Sequence, residues 1–209
     1  MGKSYLNFSA LLLLVCGFYS VSFFAQTPEK HNLIGEVEEL MYSNPNQAVK
    51  IAQHLLSTPI ISEEEKAKAN LLIAKAYLAK GDLSACLKSL FQEKQQQKYL
   101  TIPEKAEVEL LKSTILRYLC LYKESETEIT NCDLLIKNNS NDVTSDSNAF
   151  LLIEKAKHKM MLEKIDEAIN VLDGIKLDDK SNSEVKLWKF ITLGKLHLDV
   201  RLQTKLDFC

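Results

Sequence analysis

The sequence predicts an all-α chain, an α-solenoid of antiparallel helix pairs stacked side by side. Three observations predict it. Apolar residues recur every three to four positions through most of residues 31–209, with none of the strict alternation of a strand. Sequences that cap helix starts stand at intervals along the chain. Only 6 Gly and 4 Pro occur among 209 residues, which suits long helices joined by short polar loops better than a chain of many tight turns.

Residues 1–25 read as a secretory signal peptide. Lys3 is the only charged residue before Glu29, and an apolar stretch from Ala10 to Ala25 follows it. Cleavage after Ala25 leaves Gln26 first and a domain of residues 26–209 with a net charge of about −3, since the whole chain carries −2 and Lys3 departs. Retention as a membrane anchor is the alternative, although Asn7, Ser9, Gly17, Ser20 and Ser22 interrupt the stretch and about 20 apolar residues are needed to span a bilayer. A lipoprotein reading through Cys16 is disfavoured by Val15, larger than the residue such cleavage wants before its cysteine. The leader places the protein outside the cytoplasm, periplasmic or secreted.

Helix starts follow in order. Asn44-Pro45 sets a capping side chain before a proline whose missing N–H costs nothing at the first helical position. Ser62 with Glu65, Thr101 with Glu104 and Ser181 with Glu184 fit the S/T-x-x-E capping box, in which hydroxyl and carboxylate satisfy N–H groups that the first turn leaves unpaired. Ser145, Asp146 and Ser147 offer a further start after the polar loop 138–142. Between the apolar runs 71–78 and 83–91 lies Lys80-Gly81-Asp82. Gly81 suits the left-handed conformation that ends a helix, and Asp82 suits the cap of the next.

The pairs recur. Small or tightly packed residues early in each second helix, Ala48, Cys86, Ser125 and Ala168, are spaced by 38, 39 and 43. A unit of that size marks helical repeats, in which each pair leaves an apolar face that the next pair covers. Cys86, Cys120, Cys132 and Cys209 form no CxxC, and Cys86 and Cys132 fall at packing positions, so buried thiols are expected at those two.

The segment 74–86, with Leu90 beyond, resembles a tetratricopeptide repeat. Ala74, Tyr77, Gly81, Cys86 and Leu90 fill that family's small, aromatic, glycine, small and apolar roles. Ser113, Leu116, Ser125, Ile129 and Cys132 fill most of them in a third unit, without the glycine. In a fourth, Ala156, Ala168, Leu172 and Ile175 match, while Lys159 and Glu163 stand where the aromatic and the glycine would be. The first unit matches at Ala48, Ala52 and Leu55, and a fifth at Phe190, Leu193, Gly194 and His197, giving four to five degenerate repeats. An open fifth unit would expose Trp188, Phe190 and Ile191 or Leu193, as in a shortened chain or one whose end docks on a partner.

The resemblance implies a concave groove lined by the first helix of each pair, and with it a protein or peptide partner. Lys75, Leu78, Thr114, Arg117, Tyr118, Lys157, Met160 and Lys195 are the partner-binding residues it selects, with Leu71, Leu110, Ile153, Leu198 and Asp199 beside them. Three lysines and an arginine among apolar side chains would suit a peptide bearing acidic groups or a C-terminal carboxylate. The same resemblance admits an alternative, the exported sensory portion of a bacterial tetratricopeptide-containing transcriptional regulator or histidine kinase.

Chemistry finds no comparable support. His31, His54, His158 and His197 lie far apart, with no HExxH motif or cysteine pair beside them, so no metal and no cofactor is expected. No GxSxG elbow is present, and no enzyme activity is expected. The near-neutral charge argues against nucleic acid, as does the small basic patch of Lys94 and Lys98.

Overall fold

A computed structural model of the chain describes residues 30–92, 96–177 and 182–206. The signal peptide expected over 1–25 and its cleavage site lie outside the described residues. Among those residues are nine α-helices and no strand: α1 (Lys30–Ser43), α2 (Pro45–Leu56), α3 (Glu63–Ala79), α4 (Leu83–Gln92), α5 (Ile102–Tyr118), α6 (Tyr122–Asn138), α7 (Ser145–Met161), α8 (Ile165–Asp173) and α9 (Ser183–Leu206). A 3-10 turn, Gln97–Tyr99, precedes α5. No described helix is long and apolar enough to cross a membrane.

The starts obey local chemistry. Asn44 Oδ1 accepts from the Gln47 N–H at 3.3 Å, and Pro45 opens α2. At α3 the Glu65 N–H donates to Ser62 Oγ at 3.1 Å while the Ser62 N–H donates to Glu65 Oε2 at 2.8 Å. Thr101 and Glu104 repeat this box at α5. Each cap contributes about 1 kcal/mol. At α7 the start differs by one residue from the Ser145–Ser147 expectation. Thr144 is the cap, because its extended backbone lets Oγ1 accept from the Ser147 N–H at 3.2 Å, whereas Ser145 is already helical. Ser181 lies outside the described residues. Asn182 Oδ1 accepts from the Glu184 N–H at 2.7 Å.

Three reversals share one geometry. The N–H groups of Asp82, Leu121 and Lys164 donate to the carbonyls of Tyr77, Leu116 and Lys159, five residues back in each case. The residue between takes positive φ: Gly81 at 76°, Cys120 at 60° and Glu163 at 61°. The next helix then begins with Cys86, Ser125 and Ala168 donating to Asp82, Leu121 and Lys164. Positions 120 and 163, where the glycine is absent from the sequence, therefore adopt the left-handed conformation all the same.

Packing divides the core among successive triplets of helices. Val37 and Met41 of α1 join Ala48 and Ala52 of α2 and Leu72 and Ala76 of α3. Ala67, Leu71 and Ala74 on the other side of α3 meet Cys86 and Leu90 of α4 and Val108 and Ile115 of α5. Ala106 of α5, Ile129, Cys132 and Ile136 of α6 and Leu151 of α7 form the third cluster. Ala149, Ile153 and Ala156 of α7, Ala168 and Leu172 of α8 and Val185 and Leu196 of α9 form the fourth. Each of α3, α5 and α7 thus serves two clusters, and each odd-numbered helix packs on the next odd one. This is how hairpins too small to hide their own apolar faces complete a core. The four spacing residues, Ala48, Cys86, Ser125 and Ala168, are all fully buried. Burial pushes the Cys132 thiol up to about 12.

Candidate functional site

Because odd helices pack on odd helices, one side of each is turned to a shared concavity. A cavity of about 510 Å3 opens there. Every residue lining it comes from α1, α3, α5, α7 or α9. All eight partner-binding positions named from the sequence lie on its wall: Lys75 and Leu78 on α3, Thr114, Arg117 and Tyr118 on α5, Lys157 and Met160 on α7, and Lys195 on α9. Leu110 and Ile153 join them, whereas Leu71 is buried in the core beneath α3 and α5, and Leu198 is exposed elsewhere on α9.

The electrostatics differ from the expected basic groove. Glu107, Glu154 and Glu184 stand on the same wall as the four cations. The Arg117 Nε donates to Glu154 Oε1 at 3.0 Å, with both side chains almost entirely removed from solvent. Lys157 lies 3.8 Å from the other Glu154 oxygen, and Lys75 lies 3.4 Å from Glu107. Lys195 has no ion-pair partner among the described residues. A buried guanidinium demands such compensation, since stripping water from an unpaired charge costs several kcal/mol, ~3–5 when one partner is removed. The Arg117–Glu154 pair therefore ties α5 to α7 and is not an open anion receptor.

Lys157 is the unusual cation. Its ammonium sits 4.3 Å from the centre of the Trp188 ring. Desolvation lowers its pKa below the usual lysine range, Glu154 opposes the shift, and the charges of Arg117 and Lys195 add to it. A π face in place of water partly compensates such an ammonium, by ~0.5–2 kcal/mol. Trp188 is the single tryptophan of the chain, and it faces the cavity and Lys157, although it was expected at an exposed end. Phe190 and Ile191 are exposed as expected, and Leu193 is partly buried against the fourth cluster.

The cavity is bridged at one side by Tyr42 and Glu184, whose phenol donates to the carboxylate. Burial of the hydroxyl and the Glu184 charge both raise the Tyr42 pKa, while a hydrogen bond involving Trp188 lowers it. Sequence reasoning missed Tyr42, Glu107, Phe150, Glu154, Glu184 and Trp188. A signal existed for three of them: Glu107, Phe150 and Trp188 stand seven residues before Thr114, Lys157 and Lys195, two helical turns along the same face.

A smaller cavity of about 160 Å3 shares Glu107, Leu110 and Phe150 with the main one and extends toward Thr144 and Asn182. No group of three or more His, Cys, Asp or Glu side chains is arranged to hold a metal among the described residues. Comparison with protein-family models, with curated proteins and with solved structures found no match.

Proposed function

We propose that this chain is an exported interaction scaffold, periplasmic or secreted, which receives a peptide segment of a partner protein in the concave cavity of a tetratricopeptide-like helical solenoid. One observation carries the reading: first helices from all five units contribute to a single wall on which apolar and charged side chains alternate. Its volume lies within the roughly 300–1,000 Å3 of sites that enclose small ligands or short segments. Leu78, Leu110, Met160 and Trp188 supply apolar area, while Lys75, Lys157 and Lys195 supply directional donors.

With Glu107, Glu154 and Glu184 compensating most of the cations, affinity comes mainly from apolar side chains entering the cavity. Exposed lysine contacts add under about 1 kcal/mol each. Tyr118 and Met161, both exposed, line the cavity at the ends of α5 and α7, and the exposed Leu119, Leu121 and Leu162 follow them in the reversals, where a segment longer than the cavity would continue.

Selection from a random peptide library tests the proposal. Thr114→Phe fills the middle of the cavity and is expected to weaken selected peptides by about tenfold or more with unchanged helical circular dichroism. Equal retention of those peptides by the variant would move the site off the concave face.

A further inference from the structure

Tyr42 is the penultimate residue of α1, and Glu184 lies in the first turn of α9, 142 residues later. Their hydrogen bond joins the first described helix to the last. Among the described residues α1 packs on α2 and α3, and α9 on α7 and α8, but α1 and α9 do not pack along each other. Each end of the array is therefore held mainly by its own neighbours, and the side chain of Tyr42 reaches across to Glu184 and Trp188 between them. Both residues line the cavity, and Trp188 with its Lys157 ammonium stands one turn beyond Glu184. Tyr42 is 50% exposed as a residue although its hydroxyl is buried against Glu184, so the contact lies at the edge of the wall and not in the core.

We propose that the Tyr42–Glu184 hydrogen bond is a clasp which closes the two ends of the array over the cavity, and that a ligand parts it to reach Lys157 and Trp188. The inference rests on the reading of this cavity as the ligand site. A clasp of this kind sets the apparent affinity, because a ligand that needs the open form binds more weakly in proportion to that form's population. Its moving parts are small. The clusters under α1 and α9 are left whole when it opens, since neither residue belongs to them. Opening frees the Glu184 carboxylate toward the cavity, where Glu107 is the next acid along the wall.

The single tryptophan makes the clasp measurable with no peptide present. Tyr42→Phe keeps the ring and deletes the hydroxyl, which removes the donor to Glu184 and the contact with Trp188 together, so Glu184→Gln, which leaves that contact in place, is the cleaner arm. One hydrogen bond to a charged acceptor corresponds to a change of roughly tenfold in the open-to-closed ratio, so the acrylamide quenching constant of Trp188 is expected to rise about twofold or more. Glu184→Gln leaves the phenol in place and weakens the acceptor, so a smaller rise is expected. It also carries the test by itself should Tyr42→Phe lose its helical circular dichroism. Quenching constants equal to that of the unaltered protein in the folded variants would overturn the clasp while leaving the peptide site standing. Raised quenching in a protein that selects no peptide would instead keep the clasp and overturn the ligand reading.

Discussion

In the α3–α4 hairpin, Ala74 and Cys86 share one apolar cluster and the chain reverses at Gly81. In the α5–α6 hairpin the corresponding residues, again twelve apart, are Ser113 and Ser125, and the reversal falls on Cys120. The two reversals carry the same backbone hydrogen bonds, so the difference lies in side chains. Ser125 Oγ lies 3.0 Å from both Ser113 Oγ and the Ser113 carbonyl, and 3.4 Å from His158 Nδ1 on α7. All three side chains are buried. Close helix approach thus requires smallness and tolerates polarity, provided that hydrogen bonds are supplied where water is excluded. The polar hairpin also carries Arg117, whose partner Glu154 belongs to the next unit. The buried contacts of the second hairpin with either neighbour are apolar, with ion pairs such as Lys75–Glu107 nearer the surface; between the third and the fourth a buried polar layer is added to the apolar cluster.

The sharpest way to break this comparison is at the polar layer. Arg117→Ala leaves Glu154 buried with only Lys157 nearby and is expected to destabilise the protein by about 3 kcal/mol in urea unfolding. The double change Arg117→Met with Glu154→Leu should recover most of that loss, because no buried charge is then stranded. A loss under about 0.5 kcal/mol for the single variant would mean that the layer is not structural.

The reversals predict a smaller effect of opposite signs. A residue other than glycine in the left-handed region costs about 1 kcal/mol. Cys120→Gly and Glu163→Gly are therefore each expected to stabilise by about that amount, and Gly81→Ala to destabilise by a similar one. Thermal melts of the three variants check the signs together.

The smallest effect concerns acid. Burial lowers the His158 pKa below its ordinary 6.5, the Arg117 and Lys159 charges add to that shift, and Glu126 and Glu154 oppose it. Tyr122 meets the ring edge-on, and His158 Nε2 has no hydrogen-bond partner among the described residues. The unfolded chain then binds the extra proton more readily. This contribution to stability is whole above about pH 6.5 and declines as pH falls toward the lowered folded value. His158→Gln should flatten the stability profile over that window, as urea titrations at successive pH values would show. An unchanged slope would assign the acid response to other groups.

Legibility followed the range of the interactions. The boxes at Ser62 and Thr101 and the cap at Asn44 connect residues three apart, so the sequence carries them whole. The start of α7 was displaced by one residue because Thr144, Ser145, Asp146 and Ser147 all offer capping side chains, and only backbone conformation selects among them. The left-handed conformation at Cys120 and Glu163 left no mark in residue type. It follows from closing the same reversal before Ser125 and Ala168 enter their buried places. On the cavity wall the eight positions came from the resemblance to a tetratricopeptide repeat, which assigns one face of each first helix to a groove. Glu154, 37 residues from Arg117, and Tyr42, 142 from Glu184, did not.

The all-helical character, the spacing of the hairpins and the face of each first helix were determined by the sequence alone. They depend on contacts one or two turns away, which any chain with those residues makes wherever its helices form. The tertiary structure decided which acid neutralises which base, which ring lies under Lys157 and how the first and last helices meet. Those contacts join side chains whose separation along the chain carries no period, and they exist only once the hairpins have stacked.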